Sequence, residues 1–201
     1  MADETDLLND SLSQIGADTI TAIDDGSTNA NHCQRLYPQF RKALLRLHHW
    51  NFAMARAALA QDVGTPAFEF AFSYTLPPNC LKVVGYNGAN QSTLSIEEWR
   101  AITSRYRIEG KKLLTNDGTA LIVFIQDIEN PDIWDALFYQ ACAKGLAAKL
   151  ATAIPKDFKL AAALKADFLK EDLPIAMAAD GQEGSVEPFV SDALLWGRND
   201  G

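Results

Sequence analysis

Apolar residues recur at steps of three and four along the first fifty positions, alternate through the middle of the chain, and return to steps of three and four after Asn130. Leu8, Leu12 and Ile15 share one face of a short predicted helix, which Asp3 or Thr5 can cap and Gly16 can stop in a left-handed turn. After the loop "DDGS" a second helix is predicted from about Asn29. Its stripe is Cys33, Leu36, Tyr37, Phe40, Leu44 and Leu47. Pro38 inside that stripe predicts a kink, or a start nearer Tyr37, because proline lacks the N–H a helix interior needs.

The period changes at Trp50, Phe52 and Met54, whose alternation favours an extended chain. The alanines that follow suit a helix too, but a strand is expected. "FEFAFSYTL" alternates, Pro77-Pro78 makes a turn, and "CLKVVGY" reads as another strand. "YRIEGKKLLTNDGTALIVFIQ" reads as strands broken at Gly110 and at the Asn116-Asp117-Gly118 turn signal, with a single helical turn expected at Ile96 to Trp99. Asn130 then suits an N-cap, Pro131 the first helical position, and Asp132 and Asp135 the positive end of the helix dipole. Pro155 closes or kinks that helix. Another carries Leu160, Leu164 and Phe168 and runs to about Pro174 or Ala179, and "DGQEGSVEP" reads as a turn-rich break. Helices, strands and helices in that order predict an α+β fold. Residues 1–48 and 129–180 would form a helical bundle from both chain ends. Residues 49–128 would be an inserted antiparallel β region, and 181–201 an extended C-terminal tail.

Composition narrows the classes. The chain has 201 residues, 48% of them hydrophobic, enough for a core that folds without staples. No run of about 18 apolar residues occurs, since Gln140, Lys144 and Lys149 interrupt the longest candidate, so no membrane span or membrane partner is expected. The opening "MADETDLLND" has neither the basic start nor the apolar centre of a signal peptide, so synthesis and folding in a cytoplasm are expected. Cys33, Cys80 and Cys142 are odd in number and far apart, and read as free thiols. The net charge of -8 is unevenly spread: Asp3, Glu4, Asp6, Asp10, Asp18, Asp24 and Asp25 make the opening stretch acidic, while Arg35, Arg41, Lys42, Arg46 and Arg56 make the next stretch basic. Tight duplex binding needs many cationic phosphate contacts and is not expected of so acidic a chain.

Candidate chemistry is sparse. His48 and His49 are adjacent, so they do not share a face and cannot easily hold one metal; a histidine at a helix end more simply meets free carbonyls. Trp50 and Phe52 read as structural anchors packing helix on sheet. Cys33 follows His32 but lies on the apolar stripe, and neither a nucleophile elbow nor a phosphate-binding glycine pattern occurs. Glu69, Glu97 and Glu109 leave a paired-carboxylate hydrolase open without marking one. No catalytic, metal or cofactor site is therefore assigned. Arg35, Gln39, Lys42 and Arg46 line the helix face opposite the apolar stripe. Like charges at i and i+4 repel unless acids answer them: either this is a solvated face, or the acidic N-terminal arm or a partner supplies those acids. Phe189, Leu194, Leu195 and Trp196 are too few for a core of their own and mark an interaction segment.

Five stretches in order resemble the tail tubular protein A family, the head-to-tail adaptors of short-tailed bacteriophages: "LRLHHWNFAMARAALA", "FSYTLPPNCLKVVGY", "YRIEGKKLLTN", "PDIWDALFYQACAKGLAAKLA" and "AADGQEGSVEPF". They span about Leu7 to Phe189. His49 departs from the family, which often has proline there. The resemblance implies a structural virion protein without a cofactor. It would form a ring, usually of twelve copies, between the portal protein and the tail nozzle protein (tail tubular protein B), and viral DNA would pass through without sequence-specific binding. On this reading Arg35, Lys42, Arg46, Phe189, Leu194, Leu195 and Trp196 are expected at contacts with neighbouring copies or the portal. A tail-associated cell-wall hydrolase is the alternative in the same setting, and a DNA-binding module using the basic helix is a third.

Overall fold

The computed structural model describes residues 3–90, 95–103 and 105–183, so the expected contact residues Phe189, Leu194, Leu195 and Trp196 lie outside the described residues. The fold is α+β.

Helix α1 (Glu4–Ser13) starts with a reciprocal cap in which Asp3 and Asp6 each accept the other's backbone N–H, and Gly16 leaves it at φ 66°. Helix α2 (Thr28–Leu47) is capped by Ser27 and runs unbroken through Pro38, so a start near Tyr37 is not what forms. The carbonyl that proline leaves without a donor belongs to Gln34, which is exposed and can be satisfied by water. Cys33, Tyr37, Phe40 and Leu44 are buried as the stripe predicts, whereas Leu47 is 61% exposed at the helix end.

The chain then makes a single 3-10 turn (Asn51–Ala53) and enters β1 (Met54–Leu59). Thus the extended reading holds from Met54, while Trp50 precedes a turn and Phe52 lies within it. Strand β2 (Phe72–Thr75) is shorter than the alternation suggests. Glu69 sits at φ 72° and Phe70 turns back onto the Phe68 carbonyl, which breaks the period. Next come β3 (Cys80–Tyr86), β4 (Ala89–Asn90), α3 (Ile96–Thr103, longer than one turn), β5 (Tyr106–Glu109), β6 (Lys112–Thr115) and β7 (Ala120–Gln126). Strands pair antiparallel in two sheets, ordered β1-β7-β3-β4 and β2-β6-β5. The break at 116–118 is therefore where the chain changes sheets, not a hairpin.

Strand β7 explains the stacking. Ile122 and Phe124 join the β-region core with Tyr74, Leu113 and Tyr106, while Val123 and Ile125 face the helices. From Ile122 to Ile125 the strand is covered on both faces and reads as a continuous apolar run, while Leu121 at its start is 52% exposed. The first sheet thus lies between the helices and the second sheet.

Asn130 caps only a 3-10 turn (Pro131–Ile133). Helix α4 (Ala136–Ala153) begins five residues later, where Asp135 accepts from the Leu137 and Phe138 N–H groups at 2.8 and 3.1 Å. It is the central helix. Phe138, Ala141, Cys142, Leu146 and Leu150 are fully buried, α1 and α2 pack on it, and the Tyr139 hydroxyl donates to Asp10 at 2.7 Å. Helix α5 (Phe158–Asp167), a π turn (Phe168–Asp172) and α6 (Leu173–Glu183) form one continuous helical run. Pro174 does not end it. The wider π turn just ahead accommodates a ring that would clash with the carbonyl four residues back. The helix also continues through Asp180 to Glu183, where a break was expected. Among the described residues, no helix is long and apolar enough to cross a membrane.

Gly145 shows how closely the helices meet: a Cβ there would lie 2.4 Å from Phe40 Cζ and 3.0 Å from Phe168 Cε2. Gly145→Ala is expected to destabilise the fold by about 1–3 kcal/mol through overpacking. Urea unfolding would check this, and an unchanged midpoint would count against such close packing.

Candidate functional site

The junction of α2 with β1 answers how a helix hands over to a sheet. His48 is already extended (φ -133°, ψ 163°), so the last carbonyls of α2 need donors. Trp50 supplies one. Its ring is fully buried and its Nε1 donates to the Leu44 carbonyl at 3.2 Å. Phe138, in the first turn of α4, takes Trp50, Phe52 and Trp134 edge-on at 4.8, 4.9 and 5.0 Å between ring centres. Phe52 is partly buried against the same core.

The histidines do not cap carbonyls as expected; they meet side chains. His48 Nε2 lies 3.0 Å from Asp180 Oδ2 on α6, and the other Asp180 oxygen accepts from the Asn51 N–H at 2.8 Å. His49 Nε2 lies 3.2 Å from Lys82 Nζ on β3. Burial, with Lys82 and His48 beside it, lowers the His49 pKa, so its neutral ring accepts from the Lys82 ammonium. The two rings thus point to different elements. Among the described residues, no group of three or more His, Cys, Asp or Glu is placed to hold a metal ion.

The basic face of α2 is largely answered within the chain, from a direction the sequence did not indicate. Arg41 is the central residue. Its side chain is 4% exposed, its Nε and Nη2 bind both Asp127 oxygens at 3.0 Å, and Nη2 reaches Glu129 at 3.1 Å. Burial alone would depress the guanidinium pKa, but the hydrogen bonds and attraction of Asp127 more than offset this and raise it. Lys42 Nζ lies 3.5 Å from the same carboxylate, and Arg46 donates to the Leu81 carbonyl. The answering acids follow β7; among the described residues, none from the N-terminal arm forms an ion pair with α2. Arg35 differs. It is exposed, and its side chain hydrogen-bonds His32 Nδ1 at 3.3 Å. The sequence reading counts Arg41 only as one of several basic residues, although a signal for its burial is present: it lies four residues after Tyr37 and three before Leu44, on the apolar stripe itself.

Of the remaining candidates, Glu69 and Glu109 border one cleft of about 370 Å³ beside β2 and β6, which Glu97 does not line. Glu69 pairs with Arg107 at 3.0 Å, while Glu97 and Glu109 are exposed on α3 and β5. Cys33 and Cys142 are buried and Cys80 partly so; burial pushes the Cys33 thiol up to about 11, which leaves little thiolate at neutral pH. In the β region Asp117 accepts from the Tyr86 hydroxyl at 2.8 Å and pairs with Arg105 at 3.0 Å, fixing the 116–118 turn.

Comparison with models of known families and with curated proteins gives no match.

Trp50→Ala is expected to cost about 3–5 kcal/mol, through the lost ring and the orphaned Leu44 carbonyl. Unchanged thermal stability together with loss of binding to a partner would mean that Trp50 is a contact residue instead. Asp127→Asn, which leaves a buried guanidinium underpaired, is expected to cost about 3–5 kcal/mol. Glu129→Gln, at a side chain 77% exposed, should cost less than about 1 kcal/mol. Denaturant titration of both variants separates a buried clamp from a surface pair: equal losses would sink the distinction.

Proposed function

We propose that this chain is a structural virion protein, a head-to-tail adaptor whose copies form a ring between portal and tail nozzle and line part of the DNA channel. We also infer that the helices of the two chain ends form a single bundle, with the β region projecting from it. The class of function comes from the five ordered stretches that resemble tail tubular protein A. The structural observation that carries the reading is the placement of exposed apolar side chains on separate parts of the molecule. Val63 and Phe68 lie in the loop after β1, and are 106% and 80% exposed. Phe158, Leu169 and Ile175, on the α5–α6 run, are 73%, 50% and 56% exposed. Apolar residues on two different faces suit heterologous contacts, in which one surface of a copy meets another surface of the next.

The electrostatics fit a channel. Twelve copies at -8 carry about -96 formal charges, and a wall of net negative charge repels phosphate so that DNA slides. Arg41, Lys42 and Arg46 do not oppose this, since each is held by a partner inside its own chain.

The test is electron microscopy of the purified protein, alone and mixed with portal complexes. Closed rings, free or seated on the portal axis, are the expected result; monomers under both conditions would refute the adaptor reading. A zymogram on cell-wall substrate runs beside it, and a cleared band abolished by a carboxylate substitution would favour the hydrolase.

A further inference from the structure

A groove of about 510 Å³ lies between α2, the second half of α4 and the start of the π turn. Its floor is apolar. Phe40 and Phe168 meet over Gly145 with ring centres 6.0 Å apart, and Leu36 and the half-exposed Leu169 extend it. Within the π turn Phe168 is buried in the core while its neighbour Leu169 stands half-exposed at the surface. The rim is cationic: Arg35, Lys149 and Lys165 border it, and Lys149 Nζ stands 5.7 Å over the Phe40 ring. Among the described residues, no acid lies within ion-pair distance of these three cations. An apolar floor with an unanswered cationic rim fits a segment that brings both apolar side chains and carboxylates.

The chain contains such a segment beyond the described residues. Residues 184–201, "GSVEPFVSDALLWGRNDG", carry Glu187, Asp192 and Asp200 against Arg198, with Phe189, Val190, Leu194, Leu195 and Trp196 set among them. Direction decides whose segment it is. The helical run passes the groove at Leu169 and ends at Glu183, fourteen residues and about 21 Å further on. It heads away, so a chain would have to reverse and retrace that length to enter its own groove, whereas a second copy faces no such constraint.

We propose that the groove is the docking site for residues 187–196 of a second copy of this chain. The proposal deepens the ring reading and rests on it, since tail-to-groove contact repeats from copy to copy.

The test uses the full chain with p-benzoylphenylalanine replacing Phe189, made in heavy- and light-isotope forms, mixed and irradiated. Links from position 189 to peptides containing Phe40 or Phe168, joining heavy to light chains, are the expected result. Lys149→Glu with Lys165→Glu should lower their yield about tenfold, as two attractive pairs become repulsive. Adding Glu187→Lys with Asp192→Lys to the same chain should restore it, which a misfolded variant would not do. Links confined to one isotope, links to another surface, or no links would each overturn the proposal. Electron microscopy of the same samples separates the two readings. Closed rings with position 189 linked elsewhere would sink the docking site alone. Tail-to-groove links in open or dimeric species would sink the ring alone.

Discussion

A guanidinium on the apolar stripe of a helix must be answered, and the place of its answer fixes how α2 sits on the sheet. Arg41 finds both oxygens of Asp127 just beyond the last residue of β7, in a site where each side chain is less than one-tenth exposed. Helix α2 therefore cannot rotate or slide along the sheet without stranding a buried charge, a loss worth several kcal/mol. Strand β7 is held equally firmly. It pairs with β1 from Met54↔Ile125 to Leu59↔Ala120, and with β3 on its other side. A one-residue slip would exchange its helix-facing and sheet-facing side chains, so the faces of β7 and the Arg41 pair specify each other. The short chain from His48 to Ala53 closes the same loop covalently, and Trp50 satisfies the helix end inside it.

Much of this was legible because much of it is local. The cap of α1, the stripe from Cys33 to Leu44 and the strand after Met54 depend on residues within a few positions of one another. What the pattern missed depends on partners far along the chain. Asp127 looks like an ordinary loop acid until it is seen to lie against Arg41, 86 residues away. Asp180 looks like the start of a break until it accepts from Asn51 and meets His48. Other misses come from two local rules competing. Asn130 and Asp135 are both good caps, and each caps something: the first a 3-10 turn, the second α4. Pro38 suggests a boundary, but the carbonyl it frees is on the solvent side, so the helix tolerates it. Phe189, Leu194, Leu195 and Trp196 are legible only as composition, which suggests an interaction segment without naming its receptor.

The cations of α2 and α4 fall into two sets, and the separation has a physical consequence. Arg41, Lys42 and Arg46 are satisfied within the chain and hold the helix to the sheet. Arg35 and Lys149, with Lys165 of α5, surround the groove and pair with no described acid. Arg35 and Arg41 are six residues apart, about 9 Å along the helix axis. The screening length at physiological salt is about 8 Å, and Arg35 stands exposed to that salt, so the acids around Arg41 act on it only weakly. Asp127 can therefore answer Arg41 and Lys42 without quenching the rim of the groove. The fold commits its acids at one end of α2 and keeps positive charge beside an apolar floor at the other, which is the condition for recognising a segment that is acidic and apolar at once.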